Sequence, residues 1–145
     1  MAMRFDAPVA ALLAATAMTT GATAQAPALT PGRYEATLQV TIDGESEPPE
    51  KDEQCLSKSD IDGLEQWLAR AHGADCDASD RKVAGGTISF VVRCADDGEQ
   101  TSTRGELVTR QDAFEAVLRR TDDTGALKME STFAIAARRT GDCTK

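Results

Sequence analysis

The 145-residue sequence predicts a mainly β (α+β) fold. We expect a curved antiparallel meander of six to seven strands, drawn toward a half-barrel, with one helix packed on it and two disulfides. Three observations carry this. Runs in which apolar and polar residues alternate recur roughly every 11–14 residues, separated by Gly- and Asp-rich turns. Only one segment has helical periodicity. Four cysteines lie in a short chain behind an export-type leader.

The leader comes first. Arg4 is followed by an almost wholly apolar run at residues 9–18 and then by Ala22-Thr23-Ala24, the A-x-A pattern that a signal peptidase requires. Residues 1–24 therefore read as a signal peptide cut after Ala24, leaving Gln25 as the first mature residue and 25–145 as a single domain. A cut after Ala26 would set Pro27 against the scissile bond. The apolar run is about half of the roughly 20 residues that a spanning helix needs, and the first cysteine is Cys55. Neither a membrane anchor nor a bacterial lipobox anchor is expected, and the destination is the periplasm.

Thr30-Pro31-Gly32 opens the domain with a turn. Tyr34, Ala36, Leu38, Val40 and Ile42 then alternate with Glu35, Thr37, Gln39 and Thr41, the pattern of a half-buried strand. Asp43-Gly44 breaks it. Residues 45–53 (Glu-Ser-Glu-Pro-Pro-Glu-Lys-Asp-Glu) read as a solvated acidic loop that keeps an edge soluble, and a short strand over residues 53–56 follows. Ser57 and Asp60 resemble a capping box, with Asp in the usual Glu position. Ile61, Leu64, Leu68 and Ala71 form the apolar stripe of the helix, and Trp67 beside it reads as core packing. Gly73 stops the helix. His72 in its last turn suits the negative end of the dipole, which by itself accounts for the histidine.

Beyond Cys76 the chain reads as all β. Gly85-Gly86 is a hairpin turn leading to Ile88, Phe90 and Val92. Asp96-Asp97-Gly98 turns into a strand over residues 101–109 with Leu107 inward. Gln111-Asp112 turns into residues 114–118, and residues 122–125 turn again. Leu127, Met129, Ser131, Phe133, Ile135 and Ala137 then line the inner face of the last strand.

The hairpin fixes the cysteine pairing. Cys76 and Cys94 each lie nine residues from Gly85, so they meet at the open end of the hairpin, within disulfide reach. Cys55 then pairs with Cys143 by elimination. A zinc site is not expected: no C-x-x-C spacing exists, and His72 is the only histidine.

Charge and motifs restrict function. The formal net charge is −8. Residues 25–100 hold 16 acidic against 7 basic side chains, while residues 101–145 hold 7 against 8. No basic stripe exists for phosphates, which excludes a nucleic-acid binder. No nucleophile elbow, metalloprotease motif, phosphate loop or dinucleotide fingerprint is present. Asp96/Asp97 and Asp122/Asp123 are paired carboxylates, but each pair adjoins a predicted glycine turn where Asp is favoured for backbone reasons. No catalytic residue, metal or cofactor is assigned.

Four short motifs occur in order: Pro31-Gly32-Arg33-Tyr34-Glu35, Gln54-Cys55-Leu56, Cys76 followed by a hairpin and Cys94, and Gly141-Asp142-Cys143. In this order the chain resembles DUF3617, a family of bacterial exported proteins without an assigned activity. Tyr34 stands where the family often has Trp, and the acidic stretch replaces a Met/Pro-rich segment. The resemblance implies export and disulfides and nothing on mechanism. The expected function is a non-enzymatic periplasmic binding module for a small apolar ligand or an envelope partner on the concave sheet face. The alternatives are an inhibitor of an envelope hydrolase acting through Glu47, Glu50 and Glu53, and an enzyme using the paired aspartates.

Overall fold

A computed structural model describes residues 28–144. The expected leader at 1–24 lies outside the described residues. In chain order the elements are β1 (Gly32–Ile42), β2 (Glu45–Ser46), β3 (Glu50–Leu56), α1 (Lys58–Asp62), α2 (Leu64–His72), β4 (Cys76–Ala84), β5 (Thr87–Asp96), β6 (Glu99–Thr109), β7 (Ala113–Asp123) and β8 (Lys128–Gly141). All strands join one antiparallel sheet ordered β2-β1-β8-β7-β6-β5-β4, with β3 beside β1 on the same edge as β2. The expected meander is β4 through β8, and β1 closes against β8 from the N-terminal side.

Three of its hairpins turn on two residues with positive φ: Asp43-Gly44, Gly85-Gly86 and Asp97-Gly98. That is the backbone of a type I′ turn, whose twist matches that of the strands it joins. Around Gly85-Gly86 the register places Cys76 directly opposite Cys94.

Three expectations need correction. The sheet has eight strands, because the acidic stretch at 45–53 is mostly not a loop: β2 and β3 pair with β1, interrupted only around Pro48-Pro49, which lack the N–H a ladder needs. The single helix is two, parted at Gly63, a residue with poor helix propensity. The new phase buries Leu64, Leu68 and Ala69 and leaves Ala71 exposed. At the far end of the sheet Leu127 and Met129 are exposed, because neither helix reaches over that end of β8.

Other local readings hold. Ser57 accepts from the Asp60 N–H at 3.2 Å and its own N–H donates to Asp60 at 2.9 Å, so the capping box is complete. The helix stops at Gly73, but with extended backbone. Glycine fits there because a Cβ would lie 2.8 Å from Cys76 Sγ.

Seven strands side by side would place the outer edges ~29 Å apart if flat, and the helical segment is only ~22 Å long. Yet α1 packs on β3 and α2 on β4 and β5. The sheet therefore curls around the helices without closing, since β3 and β4 do not pair. The core lies in this concavity: Leu64, Leu68 and Ala69 meet Ile88, Phe90, Val92, Leu107, Phe114 and Leu118. In β4 the register shifts between Ser79 and Lys82, with Asp80 left-handed. This bulge turns Arg81 to the inner face, where it pairs with buried Glu65 of α2 at 2.5 Å.

Candidate functional site

The two faces of the sheet differ in chemistry because each strand alternates. The convex face carries ion pairs between neighbouring strands, such as Arg119–Glu106 at 3.2 Å and Lys51–Glu35 at 3.9 Å. The concave face is largely apolar, and α2 lies closest to β4 and β5. On the other side, between α2, β3 and the floor formed by β1, β8 and β7, a cavity of about 750 Å³ stays open. That volume falls within the roughly 300–1,000 Å³ typical of small-molecule sites.

Each wall follows from local sequence. The floor is Ala36 and Leu38 of β1, Phe133 and Ile135 of β8, and Phe114 and Leu118 of β7, which the register sets side by side. The helix wall is Trp67, Arg70, Ala71 and His72. Trp67 is half-buried: it packs on the core, as the sequence suggests, and also presents surface to the cavity. The strand wall is β3, where Glu50, Asp52 and Gln54 stand opposite Leu38, Ala36 and Tyr34. Period-two alternation turns these three toward the cavity; Lys51 between them borders it too, with its ammonium 3.9 Å from Glu35.

His72 closes the inner end. Its ring meets Phe133 edge-on at a centroid distance of 5.0 Å. Burial, and secondarily the charge of Arg120, lower its pKa below the ordinary 6.5. A helix dipole favours the protonated form and thus pushes the other way. The position is set by packing against Phe133 rather than by the dipole alone. A second cavity of about 630 Å³, lined by Asp75, Glu99, Arg120 and the Cys76–Cys94 bridge, shares His72 with the first.

Asp97, Asp122 and Asp123 do not form a constellation. Asp122 is ion-paired with Arg120 at 2.8 Å, Asp123 accepts from the Gly125 N–H at 2.9 Å, and Asp97 occupies a turn position with φ of 45°. Among the described residues no group of three His, Cys, Asp or Glu side chains is placed to hold a metal ion, and no helix is long and apolar enough to cross a membrane.

Both bridges form as paired from the sequence, with Cα separations of 5.7 Å for Cys55–Cys143 and 4.0 Å for Cys76–Cys94. The first spans β1, for Arg33 lies opposite both Cys55 and Gly141. Residues 29–143 match a family described as a protein of unknown function, DUF3617. The chain belongs to that family. No curated protein matches it, and no solved structure does.

Three of the four motifs that suggest DUF3617 meet at one end of the sheet, while the Cys76–Cys94 bridge ties β4 to β5 at the other. Tyr34 is fully buried and its hydroxyl donates to the Thr30 carbonyl at 2.6 Å. A Cβ on Gly32 would lie 2.5 Å from the Gly141 carbonyl. Leu56 is core, and Cys55 and Cys143 make the bridge. These DUF3617 motifs staple β3, β1 and the chain end together at the base of the cavity. Apart from Gln54, they leave the cavity walls to other residues. Asp52, Arg70 and Ala71 escaped sequence reasoning as site residues, and Glu50 entered it only as part of an inhibitory acidic loop. Only the alternation Glu50-x-Asp52-x-Gln54 beside a cysteine hinted at a strand with one acidic face.

Proposed function

We propose that this DUF3617 chain is a non-enzymatic binding module of the periplasm that holds a small apolar ligand between α2 and the concave sheet. The observation that carries the reading is the cavity of about 750 Å³ floored by Leu38, Leu118, Phe133 and Ile135, in a domain whose other face is polar. Two disulfides fit an oxidising compartment. Of the paired aspartates that the enzyme alternative invokes, Asp122 is engaged in an ion pair and Asp123 in a turn. The inhibitor reading loses its protruding loop, since residues 45–53 lie mostly along β1.

Trp67 is the only tryptophan and lines the cavity, so it reports occupancy. The uncharged fluorophore N-phenylnaphthylamine should bind, quench Trp67 emission and gain fluorescence by energy transfer. Ala71→Arg, on an exposed cavity position, should abolish both signals and leave the circular dichroism unchanged. Absence of any Trp67 response in the native protein, or an undiminished response in Ala71→Arg, would overturn the reading.

A further inference from the structure

The mouth of the groove holds opposite charges that do not meet. Glu50, on the strand wall, makes no ion pair or side-chain hydrogen bond among the described residues. Its neighbour Asp52, two positions along the same face, engages only the adjoining Glu53 N–H and the Gln54 amide. Arg70, on the helix wall of the same cavity, likewise makes no ion pair or side-chain hydrogen bond among the described residues. It reaches Asp60 only as a longer-range charge. Elsewhere this surface pairs its charges readily, as in Arg33–Glu53 at 3.5 Å and Lys58–Asp62 at 2.6 Å. At the groove the carboxylates of Glu50 and Asp52 and the guanidinium of Arg70 line a single cavity and remain apart, with apolar floor between the walls; Lys51 also borders it but is already paired with Glu35 at 3.9 Å.

We propose that the groove takes a zwitterionic amphiphile: an alkyl chain on the Leu38–Phe133–Ile135 floor, a cationic head group at Glu50 and Asp52, and an anionic group at Arg70. This rests on the apolar-ligand reading above and adds the head-group class. The physical reason is complementarity. An ammonium–phosphate head carries both signs a few ångströms apart and satisfies both walls at once. A purely anionic head leaves the carboxylates repelling it, and a purely cationic one leaves Arg70 unmatched. A guanidinium suits the phosphate because its fork matches two oxygens.

The test uses the full mature chain and three lipids of equal dodecyl chain length below their micelle concentrations: lysophosphatidylethanolamine, lysophosphatidylglycerol and dodecylamine, read by Trp67 emission and native mass spectrometry. The zwitterion should bind roughly tenfold more tightly than either of the others. In Glu50→Gln/Asp52→Asn the preference over lysophosphatidylglycerol should disappear. In Arg70→Gln the preference over dodecylamine should. Equal binding of all three lipids, an unchanged ranking in the variants, or no lipid binding while N-phenylnaphthylamine still enters would overturn the head-group assignment and leave the groove standing. Failure of N-phenylnaphthylamine as well would remove the groove itself.

Discussion

His72 ends α2 with its ring against Phe133, partly withdrawn from water and within the field of Arg120. Both effects disfavour the imidazolium, so its folded pKa lies below the unfolded value near 6.5. Between those two values the unfolded chain binds more protons than the folded one, and stability falls as pH drops through that window. The thermal midpoint of the native protein should therefore decline, relative to His72→Leu, as pH is lowered from about 6.5, and the difference should level off below the folded pKa. Parallel midpoint curves for the two proteins would contradict this. Sequence position alone suggested the opposite sign, because it shows the helix end and not the aromatic floor beneath it.

At the scale of elements, the β5–β6 pair shows how a glycine and an aromatic share one space. Gly105 lies opposite Phe90 on the concave face, and a Cβ built on it would sit 2.5 Å from Phe90 Cε2. The ring thus covers the glycine backbone and packs beneath α2. Gly105→Ala should lower stability by about 1–3 kcal/mol through displacement of that ring, measured as a reduced urea midpoint with an unchanged m-value. A midpoint equal to that of the native chain would show that the ring relaxes freely. Periodicity exposed β5 and the inward Leu107 of β6, yet the role of Gly105 depended on register. The first half of β3, before the expected strand at 53–56, was hidden for a related reason. Its residues 50–53 have polar side chains on both faces, so no hydrophobic alternation marks it, and only pairing with β1 makes it a strand.

Across the whole molecule, one layer of helix and one curled sheet enclose a small core, and covalent closure contributes much of the margin. The bridges close sequence separations of 88 residues for Cys55–Cys143 and 18 for Cys76–Cys94. On the chain-entropy account they contribute about 4–5 and about 3 kcal/mol, set against a typical net stability of roughly 5–15 kcal/mol for a domain. The double variant Cys55→Ser/Cys143→Ser should therefore lose more stability in chemical denaturation than Cys76→Ser/Cys94→Ser. The reverse order would mean that native contacts at the hairpin, such as the approach of Gly73 to Cys76, outweigh loop closure.

By itself the sequence determined the fold class, most strand positions, the capped helix start and both cysteine pairings. These depend on local periodicity, turn chemistry and counting along one hairpin, which are visible in one dimension. Tertiary structure alone decided that residues 45–53 pair with β1, that Gly63 divides the helix, and that the bulge at Asp80 sends Arg81 to Glu65. It also decided the groove. Glu50 and Asp52 lie about twenty residues before Arg70, and Phe133 more than sixty after it. Only the curl of the sheet around a helix too short to cover it brings them to one cavity.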